Sequence, residues 1–169
     1  MGLLTALGTL NDLKGKGIIK DYAIGGGYAV NYYLEPSYTY DLDVLVLLSS
    51  DAAYHALYKH FREAGNKIEN IYIMIGNLPV QFLPSFISPL LDEAIKKARR
   101  ITVGGVPSKV VRVEYLIALL LVSFRTKDKI HILSLLELAD RKVLDEIVRR
   151  FEDEKTPLRQ RLGRVLANL

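Results

Sequence analysis

Two aspartates stand two residues apart, Asp41 and Asp43, at the head of a branched apolar run, Leu42 to Leu48. In an extended strand residues i and i+2 project from the same face, so these two carboxylates converge. Convergent carboxylates cannot be buried without a cation. Mg2+ is a cation that takes carboxylate and phosphate oxygens together. Upstream, Tyr22 to Ile24 runs into Gly25-Gly26-Gly27 and then into a helical stretch. Glycines let backbone N–H groups approach an anion closely, and a helix N-terminus adds partial positive charge. A glycine anion cradle beside a dicarboxylate cation site is the apparatus of phosphoryl or nucleotidyl transfer. Alone, a glycine triplet is an ordinary turn and an Asp-x-Asp a solvated strand start. Their order and spacing together carry the reading.

Such a pair has to be held by neighbouring elements. Leu3, Leu4, Leu7, Leu10 and Leu13 have helical spacing. A short strand, Tyr22 to Ile24, precedes the glycines, and Tyr28 to Leu34 reads as a helix stopped before Pro36. Leu42 to Leu48 reads as a buried strand. Ser50 or Asp51 caps a helix to about Ala64. Lys67 to Ile75 alternates as one strand, turns at Gly76-Asn77 and returns as Pro79 to Leu83. Ser88-Pro89 opens a helix ending near Arg99-Arg100, and Ile101 to Val113 suggests two short strands around Gly104-Gly105. Beyond that, Glu114 to Phe124, Lys127 to Leu138, Arg141 to Phe151 and Thr156 to Leu169 are helical, the last with an N-cap pattern at Thr156-Pro157. The expectation is an α+β fold. A small mixed sheet flanked by helices occupies 1–113, and a helical C-terminal region, 114–169, packs on it as one compact unit.

The stretch from the glycines to the aspartates resembles the nucleotidyltransferase superfamily with the DNA-polymerase-β-like fold. Gly26-Gly27, thirteen intervening residues and Asp41-Leu42-Asp43 match its signature. A narrower likeness is to the small nucleotidyltransferases that include abortive-infection-type toxins. Gly26-Gly27-Tyr28-Ala29, Thr39-Tyr40-Asp41-Leu42-Asp43, Glu114-Tyr115-Leu116-Ile117-Ala118 and Arg125-Thr126-Lys127-Asp128 carry it. The resemblance spans about residues 20 to 140. It implies that Gly26, Gly27, Thr39, Arg125 and Lys127 bind nucleotide phosphates and that Asp41 and Asp43 hold Mg2+ or Mn2+. The implied partner is a nucleoside triphosphate, with the hydroxyl acceptor on RNA or protein and a toxin–antitoxin role.

Four positions depart from that pattern. Enzymes of this fold usually place a third carboxylate where Gln81 stands, and a glutamine offers one neutral oxygen. Ser37, Leu120 and His131 replace an Arg, a Lys and an Asp of the narrower group. These departures motivate an alternative: a non-catalytic relative that binds nucleotide, RNA or a partner protein. Asp92 and Glu93 are a less favoured candidate source of a carboxylate, since they lie on a helix beyond the hairpin. His131, amid apolar neighbours, reads as a packed, hydrogen-bonded core or boundary histidine rather than a catalytic base, and His55 and His60 as surface or packing residues. Among the tyrosines near the motif, Tyr28, Tyr32, Tyr33, Tyr38 and Tyr40 are candidates for stacking on a base.

Composition sets the frame. The chain has 169 residues, 50% hydrophobic, with a net charge of +4. That excludes a disordered chain. The absence of cysteine excludes disulfides, thiolate metal sites and cysteine nucleophiles. The longest apolar run, Tyr115 to Val122, is well short of the ~20 residues of a spanning helix. With no signal-peptide pattern, a cytoplasmic protein without membrane partner is the expectation. The basic clusters Lys96, Lys97, Arg99, Arg100 and Lys155, Arg159, Arg161, Arg164 are either solvated faces or contacts to RNA phosphates.

Overall fold

A computed structural model describes residues 2–169. The described chain folds as α+β, with eight α-helices, one 3-10 turn and a seven-stranded mixed sheet. In order the elements are α1 (Gly2–Gly15), β1 (Asp21–Ile24), α2 (Gly26–Tyr33), β2 (Leu42–Leu47), α3 (Asp51–Glu63), β3 (Ile68–Glu69), β4 (Tyr72–Ile75), β5 (Leu78–Pro84), the 3-10 turn (Ser85–Ile87), α4 (Pro89–Lys96), β6 (Arg99–Val103), β7 (Val106–Val110), α5 (Val113–Ser123), α6 (Thr126–Leu135), α7 (Arg141–Phe151) and α8 (Leu158–Leu166).

The strand order is β3-β4-β5-β2-β1-β7-β6. β2 therefore has a neighbour on each side, antiparallel β1 and parallel β5. Its Leu42, Val44, Leu45 and Val46 are buried, as the β-branched and leucine run demands. The second hairpin, β6–β7, joins the same sheet through parallel pairing of Ile24 with Val110. Helix α1 touches β1, β4, β5 and β7, and α5 touches α2, α4, α6, α7 and α8. One buried apolar cluster runs from Ala6 in α1 to Val165 in α8. None of the described helices is long and apolar enough to cross a membrane.

Several local expectations are corrected. Lys67 to Ile75 is not one strand. Asn70 takes φ 56°, and the left-handed turn splits it into β3 and β4. Helix α4 stops at Lys96, so Arg99 and Arg100 lie on β6 rather than extending a helical basic face. Thr156 is not the cap of α8. Asp153 takes both its N–H and its hydroxyl at 2.8 Å, and the helix opens at Leu158. On α1, Leu4 is exposed and Ala6 takes its place in the buried stripe.

The first turn after β5 is tied to β2 by one side chain. Buried Ser85 accepts from the Leu48 N–H at 3.1 Å and donates to the Leu48 carbonyl at 3.2 Å. Ser85→Ala strands both groups, which costs about 1–3 kcal/mol. In a chain of this size the melting temperature falls by about 3–8 °C, measurable by calorimetry.

Candidate active site

The sheet brings the sequence-derived residues to one place. Gly25 N–H donates to the Asp43 carbonyl at 2.9 Å, which docks the glycine turn against the head of β2. Helix α2 begins at Gly26, two residues before the expected start, so the glycine pair forms its first turn. Gly26 has φ 54°, the left-handed region that glycine alone enters cheaply. A side chain there would overlap the Asp43 carboxylate, and one on Gly27 would overlap the Thr39 hydroxyl. The turn is therefore glycine because strand carboxylate and threonine press directly against it.

Asp41 lies just before β2 and Asp43 within it, and both carboxyls line the same cleft, where each feels the other's charge. Burial, together with the adjacent Asp41 carboxylate, pushes the Asp43 carboxyl up to about 7, against the pull of Arg125 and Lys127. The parallel β2–β5 register sets Gln81 beside Asp43. Among the described residues no group of three or more His, Cys, Asp or Glu side chains gathers at one point. The donor set is thus two carboxylates and one amide oxygen. Carboxylates held this close and half out of water fit a hard divalent cation, whose charge would relieve their repulsion.

The opposite wall comes from the helical region. Arg125 caps α6 and Lys127 lies in its first turn. Asp128, 1% exposed, organises this corner. It accepts from the Arg125 backbone N–H at 2.8 Å, from Arg125 Nε at 3.0 Å and Nη2 at 3.3 Å, and from the Ser123 hydroxyl at 2.8 Å. Burial opposes its ionisation, yet these donors hold its carboxyl below the usual carboxylate range. The resulting cleft, about 320 Å³, is lined by Gly26, Gly27, Thr39, Asp41, Asp43, Gln81, Arg125 and Lys127, the phosphate and metal candidates of the sequence motif.

Other placements differ from the expectations. His131 is half-buried, a boundary rather than a core position, and lines the cleft wall one helical turn beyond Lys127. That i, i+4 spacing was the signal for it. Tyr72, absent from the tyrosine candidates, lines the cleft, with the Tyr40 ring edge-on at 5.7 Å. Its pairing with Gln81 across β4–β5 puts it there. Of the candidates, Tyr33 donates its hydroxyl to the Val111 carbonyl at 2.8 Å, and Tyr38 stands in solvent. Leu120 does line the cleft, while Ser37 is braced on Asn31 away from it. Asp92 and Glu93 do not reach the site. Asp92 pairs with Lys96 at 2.7 Å, and Glu93 accepts from Arg150 at 2.6 and 2.8 Å and from Tyr115 at 2.7 Å. Arg161 is likewise engaged, closing the end of α5 through the Leu121 and Val122 carbonyls, both at 2.8 Å.

No known family profile and no curated protein matches this chain by sequence. Solved structures match it in fold. An antigenic nucleotidyltransferase-like protein from Paracoccidioides brasiliensis superposes with a TM-score of 0.67 at 16% identity, covering 99% of this chain and 88% of its own. The antibiotic-resistance factor ANT(2'')-Ia superposes in solution with a TM-score of 0.55 at 14% identity, covering 99% of this chain and 98% of its own. Its crystal structure in complex with adenylyl-2''-tobramycin gives 0.56 at 15% identity, covering 96% and 99%. With its sheet, its glycine turn against the strand aspartates and these superpositions over almost its whole length, the chain has the nucleotidyltransferase fold.

Proposed function

We propose that the protein transfers a nucleotide from a nucleoside triphosphate to an acceptor hydroxyl. The observation carrying this reading is the meeting of Asp41 and Asp43 with the N-terminus of α2 on one side of a cleft and Arg125 and Lys127 on the other. A divalent cation, Mg2+ or Mn2+, held by Asp41 and Asp43 would neutralise charge on the transferred phosphate. Gly26 and Gly27 offer backbone N–H groups to phosphate oxygens. Arg125, fixed by Asp128, and Lys127 receive the departing pyrophosphate. The acceptor oxygen bonds to the α-phosphorus as the bond to the bridging oxygen breaks, and a base in the cleft wall, where His131 stands, takes its proton. Thr39 braces the glycine turn through Gly27, and Tyr72 offers a ring for the base.

For the acceptor, the residue likeness to abortive-infection-type toxins supports a hydroxyl on RNA or protein and a toxin–antitoxin setting. The superposition on ANT(2'')-Ia with adenylyl-2''-tobramycin supports a small hydroxylated molecule. Incubation with each labelled nucleoside triphosphate and all three acceptor classes separates them.

A second reading, nucleotide binding without transfer, is favoured by Gln81 in register with Asp43. Gln81→Asp adds the missing carboxylate and raises Mn2+ affinity by about 10-fold or more in calorimetry. Transfer by the unaltered protein supports the first reading; transfer by Gln81→Asp alone supports the second.

A further inference from the structure

A second cavity, about 580 Å³, opens between α1 and the β6–β7 hairpin, beside the end of β1 remote from the glycine turn. Lys14, Arg100 and Lys109 line it, and no carboxylate does among the described residues. Behind the wall one carboxylate, Asp21, serves two ammonium groups. Lys109 Nζ lies 2.5 Å from Oδ2 and Lys14 Nζ 3.1 Å from Oδ1. Among the described residues Arg100 has no ion-pair partner. The three cations thus exceed their one counter-charge. Lys109 and Asp21 are the sheltered pair, their side chains 17% and 19% exposed, while Lys14 and Arg100 carry the excess at the solvent-accessible rim.

The floor is built as well as charged. Buried Tyr22 donates its hydroxyl to Asn11 Oδ1 at 2.8 Å and sits 3.2 Å from the hydroxyl of buried Ser108. Asn11 in turn donates to the Pro107 carbonyl at 2.9 Å. Ser108 and Lys109 therefore face the cavity from a fixed polar framework.

We propose that this cavity is a second anion site that takes a phosphate monoester of a small organic molecule. A monoester carries about two negative charges at neutral pH, the size of the local excess. The cations converge on a cavity within the ~300–1,000 Å³ range of small-ligand sites, instead of lining a groove as a nucleic-acid backbone requires.

The test uses the 15N-labelled full chain in EDTA, titrated with adenosine 5′-monophosphate, with inorganic phosphate and with a single-stranded RNA decamer. With the monophosphate, the Thr102, Ser108 and Lys109 amides shift saturably with a dissociation constant below about 1 mM. Lys14→Ala with Arg100→Ala, both solvent-accessible side chains, weakens this by about 10-fold or more. Inorganic phosphate binds more weakly at the same amides. The proposal is overturned by no saturable shift there at about 10 mM ligand, by insensitivity to the double substitution, by equal affinity for inorganic phosphate, or by tighter binding of the RNA at those amides. The Gly26 and Gly27 amides report the catalytic cleft separately, so either site can fail alone.

Discussion

Gly26→Ala is expected to lower stability by about 2–4 kcal/mol and transfer by about 100-fold or more. Two effects add. Alanine at φ 54° carries the left-handed penalty of about 1–2 kcal/mol, and its methyl must displace the Asp43 carboxylate. That carboxylate cannot retreat without leaving Asp41 or opening the β1–β2 ladder. A melting temperature lower by about 5–15 °C, with Mn2+ binding lost in calorimetry, is the result to look for. Gly25→Ala is the control. Gly25 is extended, and its added methyl meets only the tip of Leu45, so most stability should remain. If Gly26→Ala keeps full cation affinity, Asp43 is not a metal ligand.

Asp43→Asn should move stability and activity in opposite directions. The buried Asp43 carboxyl, raised to about 7 from 3.8, binds its proton more tightly folded than unfolded. Its contribution to stability is therefore complete below about pH 4 and is lost as pH rises through about 7. An amide is neutral throughout and can donate to Asp41. Without metal at pH 7.5, Asp43→Asn should melt about 2–8 °C above the unaltered protein, with a flatter profile between pH 4 and 7. Transfer should fall by about 1,000-fold or more, and Mg2+ with nucleotide should no longer raise its melting temperature. A lower melting point in EDTA would mean that Asp43 is a structural acid and not a strained cation ligand.

The site was legible because its chemistry constrains residue type over a short span. Glycine is required at 26 because a positive φ is combined there with no room for a side chain against Asp43, and an i, i+2 pair places two acids on one face at the head of β2. The ends of α2 and α4 shifted because glycine at a helix start and lysine at its end are locally neutral choices. Distant pairing stayed invisible. Nothing local in Val106–Val110 tells that it lies parallel to β1, and nothing in Tyr72 tells that β5 will set it opposite Gln81. The cleft position of His131 stayed invisible for a related reason. Apolar neighbours show which helix face is inward, but not that the inward face there meets a cleft.

The two walls of that cleft differ in how they can move. Asp43 sits on a strand hydrogen-bonded on both sides, so its amide should exchange with deuterium only through unfolding of the whole domain. Arg125 and Lys127 sit in the first turn of α6, where fraying exchanges amides far sooner and Asp128 is the main restraint. Under the proposed function, a nucleotide arriving with its cation would meet a fixed anvil of carboxylates and an adjustable cationic clamp. Under the proposed transfer, loosening the Asp128 latch is the change expected to alter product-release rates before it alters binding of the metal.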